Sequence, residues 1–164
     1  MGNLELIFET ERLSIYSPKY DGETQTEFEK FLAVNRKHSH PQLKACFDAI
    51  LSAIDIIRIN GAYERYFRLE GGRIKAVPLF YNFQRIDKKV GKIRLYCLRL
   101  SDNILIIGNG GVTTFRKYEE DAYMNEIVER LRDIDRVIQK LVKQANTDLE
   151  DYEALKLIIE SIIL

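Results

Sequence analysis

The sequence predicts an α+β fold: a helical hairpin packed on a curved antiparallel β-sheet and closed by a long C-terminal helix. Three observations predict it. Apolar residues recur at three-and-four spacing over 24–60 and again over 122–145, the period of amphipathic helices. Between them lies a block, roughly 63–107, rich in β-branched and aromatic residues and punctuated by Gly-Gly and Asp-Asn turns. Finally, 46% hydrophobic and 30% charged residues in a 164-residue chain, with 9 Gly and 3 Pro, suit one packed core and exclude collagen-like or low-complexity chains.

Leu4, Leu6 and Phe8 alternate with Glu5, Ile7 and Glu9 as a strand would, and Leu13 to Tyr16 can pair with it after a polar turn. Thr24 or Thr26 can cap a helix carrying Phe28, Phe31, Leu32 and Asn35 and ending near His38. Pro41 suits a first helical position. From it Leu43, Phe47, Ile50, Leu51, Ile54 and Ile57 form one stripe until Asn60-Gly61 stops the helix. The link between the two helices is short, so they must lie against one another.

Strands are then predicted over Tyr63–Leu69, Ile74–Phe83 with Pro78 at an edge or bulge, Lys92–Leu100 and Ile104–Ile107, as an antiparallel meander. Gly108-Asn109-Gly110-Gly111 reads as a bulge or sheet exit. An acidic turn, Glu119-Glu120-Asp121, opens the long helix, whose Ile127, Leu131, Ile134, Ile138 and Leu141 repeat like a coiled-coil seam. Residues 1–145 are expected to form the domain, and 146–164 a last helix. Its apolar end, Leu157 to Leu164, must pack on the domain or on a partner, for which a homodimer through the C-terminal helices is the first expectation.

No stretch of about 18 apolar residues suggests a membrane span, and Met1-Gly2-Asn3-Leu4-Glu5 lacks the pattern of a secretory signal, so a cytoplasmic location is expected. Cys46 and Cys97 are too few for a disulfide framework or a zinc cluster. His38 and His40 lie together in the inter-helix link, and no third ligand is apparent. There is no nucleophile elbow, phosphate-binding loop or dinucleotide motif. Neither a metal nor a cofactor is expected.

Charge carries more information. The chain has 25 basic and 25 acidic residues, but Arg65–Lys117 holds twelve basic residues against only Glu70, Asp87 and Asp102, a net charge of +9. Clustered cations suit a polyanion. The competing explanation is that acids from the flanks neutralise them in the fold. The candidate residues are Arg85, Lys88, Lys89 and Lys92 around one turn, Arg94, Tyr96 and Arg99 on the next strand, and Arg116, Lys117 and Tyr118 after the last strand. Alternation puts Arg94, Tyr96 and Leu98 on one face and Leu95, Cys97 and Arg99 on the other. Cleaving a phosphodiester needs a base for the 2′-hydroxyl, a cation for the phosphate and an acid for the leaving oxygen, and Lys, Arg and Tyr side chains can serve all three.

Lys92-Ile93-Arg94-Leu95-Tyr96-Cys97, followed by Asn103-Ile104-Leu105-Ile106-Ile107 and then Arg116-Lys117-Tyr118, resembles the RelE/HigB-like toxin superfamily. The resemblance implies a RelE-like fold and a metal-independent messenger-RNA endoribonuclease, often ribosome-dependent and restrained by an antitoxin protein. It implies that Arg94 holds phosphate, that Arg116 stabilises the leaving side, that Lys88 or Lys89 assists, and that Tyr118 or Tyr123 transfers a proton. Arg85, Lys92, Tyr96, Arg99 and Lys117 would then contact RNA. The rival expectation is a non-enzymatic interaction module with a basic sheet face and a self-associating helix.

Overall fold

The computed structural model describes residues 1–79, 81 and 85–164. Strands β1 (Asn3–Glu9) and β2 (Ser14–Lys19) lead into α1 (Glu27–Asn35) and α2 (Pro41–Asn60). Short β3 (Arg68–Leu69) and β4 (Ile74–Val77), then β5 (Lys92–Arg99) and β6 (Ile104–Thr113), precede α3 (Ala122–Gln144) and α4 (Tyr152–Ser161). The six strands form one open sheet in the order β1-β2-β6-β5-β4-β3.

The β3–β6 meander is antiparallel as expected, but the sheet as a whole is mixed, because β2 pairs with β6 in parallel. The physical reason is the connection. The α1–α2 hairpin and three strands intervene between β2 and β6, so β6 meets β2 running in the same direction rather than turning back on it. Ser17 Oγ donates to Ile107 O at 2.7 Å and fastens the two strands beyond their ladder.

Both sheet faces are covered, which gives two cores. Leu13, Ile15, Ile93, Leu95, Cys97, Leu105 and Ile107 pack against Phe31 of α1 and against Cys46, Ile50 and Ile57 of α2. Tyr16, Tyr96, Leu98, Ile104 and Ile106 pack against Val128, Leu131, Ile134 and Ile138 of α3 and Leu155 and Ile159 of α4. The continuous apolar run Ile104–Ile107 is therefore buried on both sides, as its composition requires.

Local chemistry fixes the helix ends. Thr26 accepts from Glu29 N at 3.2 Å while Glu29 Oε1 accepts from Thr26 N at 3.0 Å, a reciprocal capping box. His40 Nδ1 accepts from Gln42 N at 3.1 Å and caps α2, so this histidine has a structural task. Asp121 caps α3 and Asp151 caps α4.

Further expectations are refined or corrected by the structure. Of the two readings of the glycine run, bulge or sheet exit, the bulge holds: β6 continues to Thr113 through Gly108–Gly111, and its register against β5 shifts by one residue between Ile107 and Gly110. A Cβ on Gly110 would lie 1.9 Å from Arg94 O, and one on Gly108 would lie 3.1 Å from Leu131, so these glycines allow close approach of β5 and α3. Tyr63–Leu69 is not one strand but a 3-10 turn at Glu64–Tyr66 and the two residues of β3. There Arg65 lies over the rings of Tyr63 (4.8 Å) and Tyr66 (4.9 Å), which holds the turn. The last helix, expected within 146–164, spans only Tyr152–Ser161, because Asp148 accepts from Glu150 N and Asp151 N and forms a turn first. The strand expected over Ile74–Phe83 is β4 up to Val77; residues 80 and 82–84 lie outside the described residues.

Helix α4 lies on its own domain. Leu155, Ile159 and Ile162 are buried against it, Ile163 bridges Asn3, and Leu164 N donates to Gly2 O at 2.8 Å. No helix among the described residues is long and apolar enough to cross a membrane.

Candidate functional site

The segment carrying the lysines is held from outside the sheet by a residue the sequence reading passed over. Gln42, on the first turn of α2, donates through Nε2 to Asp87 O (3.0 Å) and Gly91 O (2.6 Å), and its Oε1 accepts from Asp87 N (2.9 Å). Asp87 Oδ1 accepts from Lys89 N at 2.9 Å, so the acid is spent on the turn itself. Gly91 adopts φ +85° and passes close to Thr113, where a Cβ would be 2.6 Å from the carbonyl oxygen. Only glycine serves at that position.

This turn delivers Lys92 to the start of β5, opposite Thr113 at the end of β6. The two strand ends and the segment after β6 enclose a hollow of about 270 Å³ lined by Ile86, Lys88, Gly91, Lys92, Thr113, Thr114, Phe115 and Arg116. Three cations from two separate stretches of sequence thus share one concavity. Lys92 is half-buried, with its ammonium 5.7 Å from the centre of the Tyr81 ring. Burial, reinforced by the Arg94 and Arg68 guanidiniums, pushes its pKa below the ordinary lysine value.

Arg94 stands behind this hollow on β5. It is 1% exposed, and it donates from Nη1 to Arg116 O at 3.1 Å. Its Nε and Nη2 make no hydrogen bond of good geometry among the described residues, and the Tyr96 hydroxyl, close enough for the guanidinium to lower its pKa, is likewise unsatisfied. Arg68 Nη2 also donates to Arg116 O, at 3.3 Å, while Arg68 Nε meets Glu70 Oε1 at 2.9 Å. Burial raises the Glu70 pKa, opposed by Arg68 and Arg94. A buried guanidinium with two idle donor groups is costly, since each unsatisfied polar group forfeits about 1–3 kcal/mol.

The remaining candidates divide. Arg85, Lys89 and Lys117 are exposed and, like Lys88, Lys92, Arg94 and Arg116, form no ion pair among the described residues. The neutralisation that composition allowed falls elsewhere in the basic segment: on Arg68, Arg73, Lys75 and Arg99. Arg99 donates to Ala62 O at 2.6 Å, pairs with Asp102, and lies 3.5 Å from Glu64. It faces α2, away from Arg94, as the alternation along β5 requires.

The phenols are core residues, not surface contacts. Tyr96 is fully buried, and burial raises its pKa to about 12. Tyr118 is 6% exposed, sits edge-on to Tyr96 at 6.2 Å between ring centres, and its hydroxyl accepts from Arg132 Nη2 at 2.8 Å. Tyr123 lies apart, over the glycine half of β6. Among the described residues, no group of three or more His, Cys, Asp or Glu is placed to hold a metal ion.

Gln42, Arg68, Thr113 and Thr114 were missed. Gln42 and Arg68 act through contacts distant in sequence, and the two threonines follow the glycines read as a bulge or sheet exit, so nothing local marked them as lining a site. Comparison with family models, curated proteins and solved structures finds no match to this chain.

Proposed function

We propose that the protein binds the phosphate backbone of single-stranded RNA in the hollow of Lys88, Lys92 and Arg116, and that it cleaves the chain there as RelE-like toxins do. The observation that carries the proposal is the gathering of Lys88, Lys92 and Arg116, none in an ion pair among the described residues, around one hollow, with the buried Arg94 donating to the Arg116 carbonyl behind them. A phosphate in the hollow offsets the mutual repulsion of the cluster, and a shift of the Arg116 backbone on binding would uncover Nε and Nη2 of Arg94, which are closed off in the unbound protein, to a phosphate oxygen.

The chemistry follows from the groups present. Lys92, with its lowered pKa, is the group best suited to take the proton of the 2′-hydroxyl. The freed oxygen attacks phosphorus, the bond to the 5′-oxygen breaks, and the developing charge on the phosphate faces Arg116 and Arg94. Lys88, exposed at the rim of the hollow, returns a proton to the departing 5′-oxygen. The products are a 2′,3′-cyclic phosphate and a 5′-hydroxyl. Tyr118 is left out of this scheme, because its hydroxyl is buried and already accepts from Arg132.

Fluorescence anisotropy with a labelled single-stranded oligoribonucleotide, read beside gel analysis of its integrity, tests both parts. Wild type should bind and cut; Lys92→Met should bind more weakly and not cut. A second reading is favoured by Phe115 and Ile86, which are 43% and 39% exposed beside the cations: a partner protein with an acidic, partly apolar segment would fit the same place. In that case the protein is an interaction module, and neither binding to RNA nor growth arrest on induced expression will be seen.

A further inference from the structure

We infer that a second hollow, against the glycine half of β6, is a nucleobase-binding site whose recognition group is the side-chain amide of Asn109. The hollow has a volume of about 520 Å³ and lies between the C-terminal half of α1 and the start of α3, with Val34, His38, Asn109, Gly110, Gly111 and Tyr123 on its walls. A smaller hollow of about 210 Å³ adjoins it and shares Asn109 and Tyr123.

Asn109 is only 9% exposed, yet its amide is half used. Oδ1 accepts from Gly110 N at 2.7 Å, which fixes the orientation of the group, because only the oxygen can take that proton. Nδ2 is therefore the free end, without a hydrogen-bond partner among the described residues, and the side chain lines both hollows. An amino group that belongs to a largely buried side chain but opens onto a cavity selects a ligand with a carbonyl or ring-nitrogen acceptor.

The walls select a flat one. Gly111 leaves bare backbone on the side of α3: a Cβ there would lie 3.3 Å from Met124 and 3.6 Å from the Tyr123 ring. Tyr123 is 55% exposed on the first turn of α3, with an aromatic face available for stacking. The nearby cations are already neutralised. Lys30 lies 2.8 Å from Glu27 and 3.1 Å from Glu23, and Arg130 lies 3.1 Å from Glu126, so this hollow suits an uncharged ring where the other suits phosphate. Val112 lines one hollow and Thr113 the other, so consecutive residues of β6 connect the two. The choice of a nucleobase among flat acceptors rests on the RNA reading above, but the residues and the probe are different.

The test uses nucleosides, which carry no phosphate. Adenosine, guanosine, cytidine and uridine are titrated separately into isotope-labelled full-length protein, with ribose as control, and the Asn109 side-chain amide and Tyr123 ring signals are followed by NMR. At least one nucleoside should move both sets of signals saturably while ribose moves neither. Asn109→Asp keeps the acceptor for Gly110 N but removes the donor, and should weaken binding about tenfold; Tyr123→Ala, at an exposed position, should do the same, and Tyr123→Phe should not. Lys92→Met and Arg116→Ala should leave nucleoside binding intact even where RNA binding is lost, so failure of the phosphate reading is separable from failure of this one. Absence of any saturable shift, or shifts unchanged in both Asn109→Asp and Tyr123→Ala, overturns the inference.

Discussion

Replacing Arg94 by methionine should make the fold more stable while RNA binding is lost. Arginine at this position leaves Nε and Nη2 unsatisfied at 1% exposure, a cost of about 1–3 kcal/mol for each group. Against this stands one charge-assisted bond, Nη1 to Arg116 O, worth about 1.5–3 kcal/mol. Losing it does not orphan the carbonyl, because Arg68 Nη2 still donates to Arg116 O at 3.3 Å, and Glu70 keeps its ion pair with Arg68. Methionine is unbranched and fills the space beside Tyr96 without a polar atom to satisfy. The balance is a gain of about 1–3 kcal/mol, or about 2–4 °C in Tm for each kcal/mol in a chain of this size. Urea denaturation of wild type and Arg94→Met, extrapolated to zero denaturant, measures it, with anisotropy on the same samples. A variant destabilised by about 2 kcal/mol or more would refute the reasoning, since the guanidinium would then be a structural tie and not a ligand-binding group kept at the expense of stability.

The cationic hollow makes RNA affinity salt-dependent. With three Lys and Arg side chains in ionic contact with the RNA backbone, log K should fall against log salt with a slope of about −2, and Arg116→Ala should reduce that slope by about 0.7, as a salt titration of the anisotropy signal will show. The pKa of Lys92 is lowered in the folded chain, so between that value and the unfolded one the unfolded chain binds more protons. Stability should therefore rise with pH across that window, and Lys92→Met should flatten the rise in denaturation curves taken at stepped pH. Gly110→Ala should be among the most damaging small substitutions, costing about 3 kcal/mol or more, because its methyl group meets backbone, not a movable side chain; thermal melting measures this.

Much of the architecture was legible where one residue's chemistry acts on its near neighbours. Pro41, Asn60-Gly61 and Thr26 mark helix ends through backbone groups a few residues away, and the seam Ile127 to Ile138 marks the face that α3 buries. The parallel contact of β2 with β6 was not legible, because no local signal states which strand a distant one will join. The glycines at 108–111 were read by their usual role as breakers, whereas contact with Leu131 and Arg94 decides their role in the fold. The clustering of Lys88, Lys92 and Arg116 followed from the meander, and alternation along β5 separated Arg94 from Arg99. Tyr96 and Tyr118 were placed with the surface groups on chemical type alone. Their burial follows from α3 covering that face of the sheet, which the seam implied but did not locate.

The structure of the protein with a short oligoribonucleotide whose 2′-hydroxyl at the cut site is blocked would test the central claim most directly. One phosphate should lie in the hollow with an oxygen within hydrogen-bond distance of Arg94 Nε or Nη2, flanked by Lys92 and Arg116. An RNA seated on another face, with Arg94 still unbonded and the hollow unoccupied, would contradict it.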